Sequence, residues 1–165
     1  MRANPIFAAP MIAVAGVLAM VSASARPPQS DGSGTGADRH DAVVDGRQAA
    51  FKLSLSSFLA LKAAITRGDD PKTMVQPAKA LAAWGRAIPG MFPSDVHSPR
   101  SRALLHIWAD RAGFTARAAD MATAAEKFAS LAAAGDAAAL SAQWDVLKGS
   151  CAACHDKYRA PDEKK

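Results

Sequence analysis

From Asp41 onward the chain alternates apolar and polar residues with a step of three and four. Val44, Phe51, Phe58 and Ile65 recur every seven residues, with Leu55 and Leu61 between them near the same stripe. That spacing predicts an amphipathic helix over Asp41–Arg67, ended by Gly68. Asp70-Pro71 reads as an N-cap followed by a first-turn proline, opening a second helix that runs to about Trp84. Pro77 lies inside it, so this helix either kinks there or starts later than Pro71 suggests. A long connection follows, punctuated by Pro89, Pro93 and Pro99. Leu104, Ile107, Arg111, Phe114, Ala118, Met121, Ala125 and Phe128 then predict a third helix over Ser101–Ala134, with only Arg111 breaking its apolar seam. Gly135-Asp136 is a stop followed by a cap. Leu140, Trp144, Leu147, Cys151, Cys154 and Tyr158 carry the fourth helix, Asp136–Tyr158. Ala, Leu, Lys and Arg dominate, β-branched residues are sparse, and no repeat or strand pattern stands out. The expectation is an all-α, antiparallel four-helix bundle, although the long middle connection permits other topologies.

The first forty residues follow another logic. Met1–Asn4 carries one charge, Arg2; Ile6–Val21 is almost wholly apolar or small; Ala23-Ser24-Ala25 follows. This is the pattern of a secretory signal cleaved after about Ala25, which places the mature protein in the periplasm. Pro10 and Gly16 interrupt the apolar run and argue against a membrane anchor, and no other stretch reads as a span. Residues 26–40, rich in Pro, Gly, Ser and Asp, read as a disordered arm; 41–160 is the single domain, and 161–165 a charged tail. The 165 residues carry 20 Lys+Arg against 15 Asp+Glu. Loss of Arg2 with the signal leaves 19 − 15 = +4. The charges are scattered, with no basic stripe interleaved with aromatics. That argues weakly against nucleic acid and weakly for an acidic protein partner.

The chemistry is concentrated at one place. Cys151-Ala152-Ala153-Cys154-His155 has the spacing for covalent haem attachment. Two thiols one helical turn apart reach two vinyl groups on one porphyrin edge, and the next residue offers its imidazole to the iron. A redox dithiol has the same cysteine spacing, but normally opens a helix after a strand. A zinc site needs further ligands, for which His97 and His106 qualify only by identity. His40, His97 and His106 otherwise carry no pattern, Met74 and Met121 read as core, and Met91 lies in the loop. The first-helix seam carries no acid or base of the kind a peroxidase-like enzyme needs, so a non-enzymatic role is expected.

Arg47-Gln48, the run Pro99 to Phe114 containing Ile107-Trp108-Ala109-Asp110, and Cys151 to Arg159 together resemble the class II c-type cytochromes, most closely cytochrome c′. The resemblance covers about Val44 to Arg159. It implies one covalently bound haem c, with Cys151 and Cys154 as attachment points and His155 as the iron ligand. Arg47 and Gln48 would contact the haem, and Arg159, one turn past His155, would share its face. Phe51 would stand across the iron from His155, where low-spin relatives carry a coordinating methionine. Phenylalanine has no lone pair to give, so the implied iron is five-coordinate, its sixth site open yet crowded. The implied partners are nitric oxide or carbon monoxide, an unidentified redox protein and a second copy of the chain, joined through helices one and two. Nitric oxide could then displace His155 and end near Arg159. The alternative is a six-coordinate, low-spin electron carrier using one of the methionines.

Overall fold

The computed structural model describes residues 35–96 and 98–161. The expected signal and cleavage site, residues 26–34 of the expected arm, His97 and residues 162–165 lie outside them. α1 spans Gly36–Arg67 and so begins five residues before the expected Asp41. Its start is fixed by a reciprocal capping box: Asp38 N donates to Thr35 Oγ1 at 3.3 Å, and Thr35 N donates to Asp38 Oδ2 at 2.8 Å. The last residues of the expected arm, Gly36–His40, are therefore helical. Gly68, at φ 71°, closes α1 in the left-handed conformation, which glycine adopts without a Cβ clash.

Asp70 then caps a single 3₁₀ turn, Pro71–Met74, and α2 follows over Val75–Ala87. Pro77 falls in the first turn of α2, where its missing N–H leaves no helical carbonyl unpaired. The later start is thus the outcome, and α2 runs three residues past Trp84.

The expected third helix is broken. Ser101–Leu105 is not helical, α3 is one turn over His106–Ala109, and α4 begins only at Arg111 and runs to Ala134. Tertiary pairing overrides the local period here. Leu104 N donates to Tyr158 O at 3.0 Å and Ala160 N to Arg102 O at 2.8 Å, so residues 102–104 spend their backbone groups on the chain end. Arg111, expected on the seam, instead donates to the carbonyls of Phe92 and Pro89. α5, Ala137–Tyr158, follows a two-residue link at Gly135-Asp136.

α1, α2, α4 and α5 form the antiparallel four-helix bundle. The chain through α2 runs opposite to α4, from Gly85 against Ala122 to Phe92, just past α2, against Phe114. The short links after α1 and α4 reverse each of the other pairs, so α1 and α5 are antiparallel too. Leu61, Leu81, Ile107, Phe128, Leu140 and Leu147 are fully buried. Burial is worth about 1.5–3 kcal/mol for each such side chain, against about 0–1 kcal/mol for an exposed ion pair such as Arg86–Glu126. The apolar seams therefore decide the fold.

On α1, Val44 and Leu61 are buried, and Phe51, Phe58 and Ile65 pack against the core. Leu55 departs from the expected stripe and is exposed, as are Leu53 and Leu59. This outward apolar surface also makes α1 long and apolar enough, by length and composition, to cross a membrane, which the sequence reading allowed only for the signal.

Candidate haem site

The two cysteines lie in the last two turns of α5 as free thiols, half-buried against the core cluster. Burial pushes both thiols above their ordinary range. At Cys154 the neighbouring Cys151 adds to the rise, and Arg117 opposes it. Both are therefore neutral at neutral pH. His155, the next residue, is exposed. The three groups fall on one edge of α5 because a helix turns once in 3.6 residues.

The antiparallel register between α1 and α5 is marked by Phe58 and Trp144, whose ring centroids are 4.1 Å apart. Stepping seven residues back along α1 and seven forward along α5 sets Phe51 level with Cys151; one turn further, Arg47 is level with His155. The first and last helices thus bring the expected site residues to one end of the bundle.

Arg47 is the buried charge of this region, 3% exposed. Its Nη2 donates to Ser101 Oγ at 2.6 Å, its Nη1 reaches Met91 O at 3.5 Å, and its guanidinium lies 4.4 Å from the Phe92 ring centroid. No carboxylate among the described residues pairs with it. Desolvation alone accordingly lowers its pKa from the ordinary arginine value. Gln48 Nε2 donates to Arg100 O at 3.0 Å, tying the same turn of α1 to the loop.

Phe51 meets Trp84 edge-on at 5.0 Å and Phe92 at 6.4 Å. The aromatic contacts continue from Phe92 to Phe114 at 5.1 Å and on to Tyr158 at 5.2 Å. Trp84 Nε1 is buried with no hydrogen-bond partner in the structure. An unpaired buried N–H and a buried guanidinium without a counter-charge are both costly. The donor set fits a covalently held haem: two thiols a turn apart, an adjacent imidazole, aromatic walls and a cation suited to a propionate.

At the far end of the motif, Arg159 is half-buried, its N–H donates to His155 O at 3.1 Å, and its backbone has turned extended. Met74 and Met121 are core residues, as expected. His106, read as carrying no pattern, stacks on Tyr158 at 5.6 Å. Sequence reasoning missed the roles of Trp84 and Asp110. Asp110 was placed mid-helix, whereas it caps α4 by accepting from Gly113 N at 3.1 Å. An aspartate, a preferred capping residue, standing before the regular run from Phe114 to Phe128 was the available signal.

Residues 42–159 match the family model described as cytochrome C′. Over 91 residues the chain is 33% identical to the cytochrome c′ of Rhodospirillum rubrum, a match that takes in 54% of the chain and 62% of that relative. The fold is similar to cytochrome c′ from Rhodopseudomonas palustris, at TM-score 0.65 and 29% identity, covering 73% of this chain and 98% of that one. It is likewise similar to the nitric oxide complex of a point mutant of cytochrome c prime from Alcaligenes xylosoxidans, at TM-score 0.67 and 25% identity, covering 74% and 97%.

Proposed function

The chain belongs to the cytochrome c′ family, whose cofactor is covalently attached haem c, and from that premise we propose that it is a periplasmic gas-binding and electron-exchanging protein with five-coordinate iron. Haem, when bound, would supply an iron able to exchange one electron and to take a diatomic ligand. In this reading Cys151 and Cys154 hold the group covalently and His155 is the protein ligand. Arg47 and Gln48 serve the propionate side. Arg159, one turn past His155, lends positive charge to its face and favours the reduced state.

The observation that carries the reading is Phe51. It stands level with Cys151 and is boxed by Trp84 and Phe92, where a sixth ligand would have to come from. Its ring excludes water and bulky ligands while leaving nitric oxide and carbon monoxide a slow route in. The complex of an Alcaligenes xylosoxidans relative with nitric oxide supports the same ligand class. Absorption spectra of the oxidised and reduced protein test it. High-spin spectra in both states are expected. A low-spin spectrum with the methionine–sulfur charge-transfer band would overturn the reading, and would point to Met91, half-buried against the core, as the ligand.

The exposed Leu53, Leu55 and Leu59 on α1 support a homodimer formed through α1 and α2. Sedimentation should give a dimer that Leu59→Glu dissociates. Mass spectrometry of the exported protein should give a chain starting near Arg26 plus one haem that survives acid–acetone extraction.

A further inference from the structure

Several groups converge on one carboxylate beside the candidate iron ligand. Tyr158 Oη and Lys157 Nζ each donate to Asp110 Oδ2 at 2.7 Å, and His106 Nε2 stands 3.8 Å from the same atom. The other oxygen, Oδ1, accepts from Gly113 N at the start of α4. A Cβ at Gly113 would run into this carboxylate, so glycine is what lets it sit there. Tyr158 is 2% exposed, sandwiched by the His106 ring and the edge of Phe114. Its buried hydroxyl must have an acceptor, and Asp110 is that acceptor.

The location gives the arrangement its meaning. Helix ends fray, and His155 lies in the last turn of α5. A metal ligand must be held to within about 0.5 Å of its working position by groups behind it. Here the two residues anchored by Asp110 follow His155 by two and three positions. The backbone pairing of residues 102–104 with 158–160 closes the same end from the other side. Lys157–Asp110 is exposed and by itself worth about 0–1 kcal/mol, so within the cluster the ion pair adds placement of the α5 end more than stability.

We propose that Asp110 is the positioning residue for His155, acting through Tyr158 and Lys157 to hold the last turn of α5 in one geometry. The proposal rests on the reading of His155 as the iron ligand. It accounts for the break between α3 and α4: the chain leaves the helix at Asp110, which frees that side chain to reach α5.

The test is resonance Raman spectroscopy of the haem-loaded ferrous protein, read at the iron–histidine stretch, with the reduction potential beside it. Wild type should give one narrow stretch. Asp110→Ala should lower and broaden it and shift the potential. Tyr158→Phe keeps the ring packing, deletes only the hydroxyl, and should move both readouts the same way by less. Asp110→Asn has one acceptor oxygen for donors that now meet two, loses the charge that Lys157 pairs with, and should move both readouts the same way as Asp110→Ala but by less. If Asp110→Ala and Tyr158→Phe melt earlier yet keep the wild-type stretch and potential, the role is structural only and the proposal is overturned. Should wild type prove low-spin, the five-coordinate reading fails separately, and the potentials of the same variants still decide the positioning role.

Discussion

The two sides of the bundle are built by opposite means. Between α2 and α4 the helices close on each other: a Cβ placed on Gly85 would stand 2.9 Å from Ala122 N, and Ala118, Ala122, Ala125 and Ala129 are buried. Small residues there let the backbones approach until no third body fits. Between α1 and α5 the contacts are large and sparse, through Phe58 and Trp144; nearby, among the described residues, α1 holds a buried arginine with no acidic partner and α2, against Phe51, an indole N–H with no acceptor. One seam is completed by protein alone. The other has the composition of a wall facing something that is not polypeptide.

The strongest way to break the comparison is to remove the proposed attachment points. Cys151→Ser with Cys154→Ser should abolish acid-stable haem and lower the thermal midpoint, with loosening confined to α1 and α5 and read by amide exchange. Gly85→Ala should act on the other seam alone, costing about 1–3 kcal/mol in chemical denaturation by overpacking and leaving the haem spectrum unchanged.

Arg47→Leu sharpens the contrast through its sign. Removing a buried charge that has hydrogen-bond acceptors but no counter-charge should leave the haem-free protein about as stable. In the haem-loaded protein it should lower the reduction potential, because a positive charge favours the reduced state. Phe51→Ala should speed carbon monoxide binding by stopped flow, and Phe51→Met should push the iron toward low spin.

The smallest expected effect is at the acid end. Asp110 is held at about 2, first by the hydrogen bond from Lys157 and then by that from Tyr158. A carboxyl depressed in the folded state stabilises fully above the ordinary carboxylate range of about 4 and loses that contribution as pH falls toward about 2. Asp110→Asn should flatten this limb of an acid titration of stability, lying slightly below wild type through the neutral range and converging with it as pH falls toward about 2.

The bundle was legible because its seams are periodic. Phe114, Ala118, Met121, Ala125 and Phe128 are all buried where the step of three and four put them. The same step misled at Leu104 and Arg111, which continue the period by spacing alone. Residues 102–104 are claimed by residues 158–160 and Arg111 by the carbonyls of Phe92 and Pro89, and no local pattern encodes either pairing. In the candidate site, the cysteine and histidine spacing was legible because the chemistry fixes it. Arg47 and Phe51 were legible only through family resemblance. That Arg47 is buried without a counter-charge, and that Trp84 lacks an acceptor, are facts of packing between helices far apart in sequence.

The register that sets Phe51 level with Cys151 also has a consequence in time. α1 with α2, and α4 with α5, are hairpins with short links, whose closure costs little chain entropy. The seam between the first and last helices joins residues about a hundred positions apart and should close last. A group bound covalently to α5 and gripped by the Arg47 turn of α1 would therefore act as a latch. It would slow the parting of the chain's two ends more than it would speed their meeting.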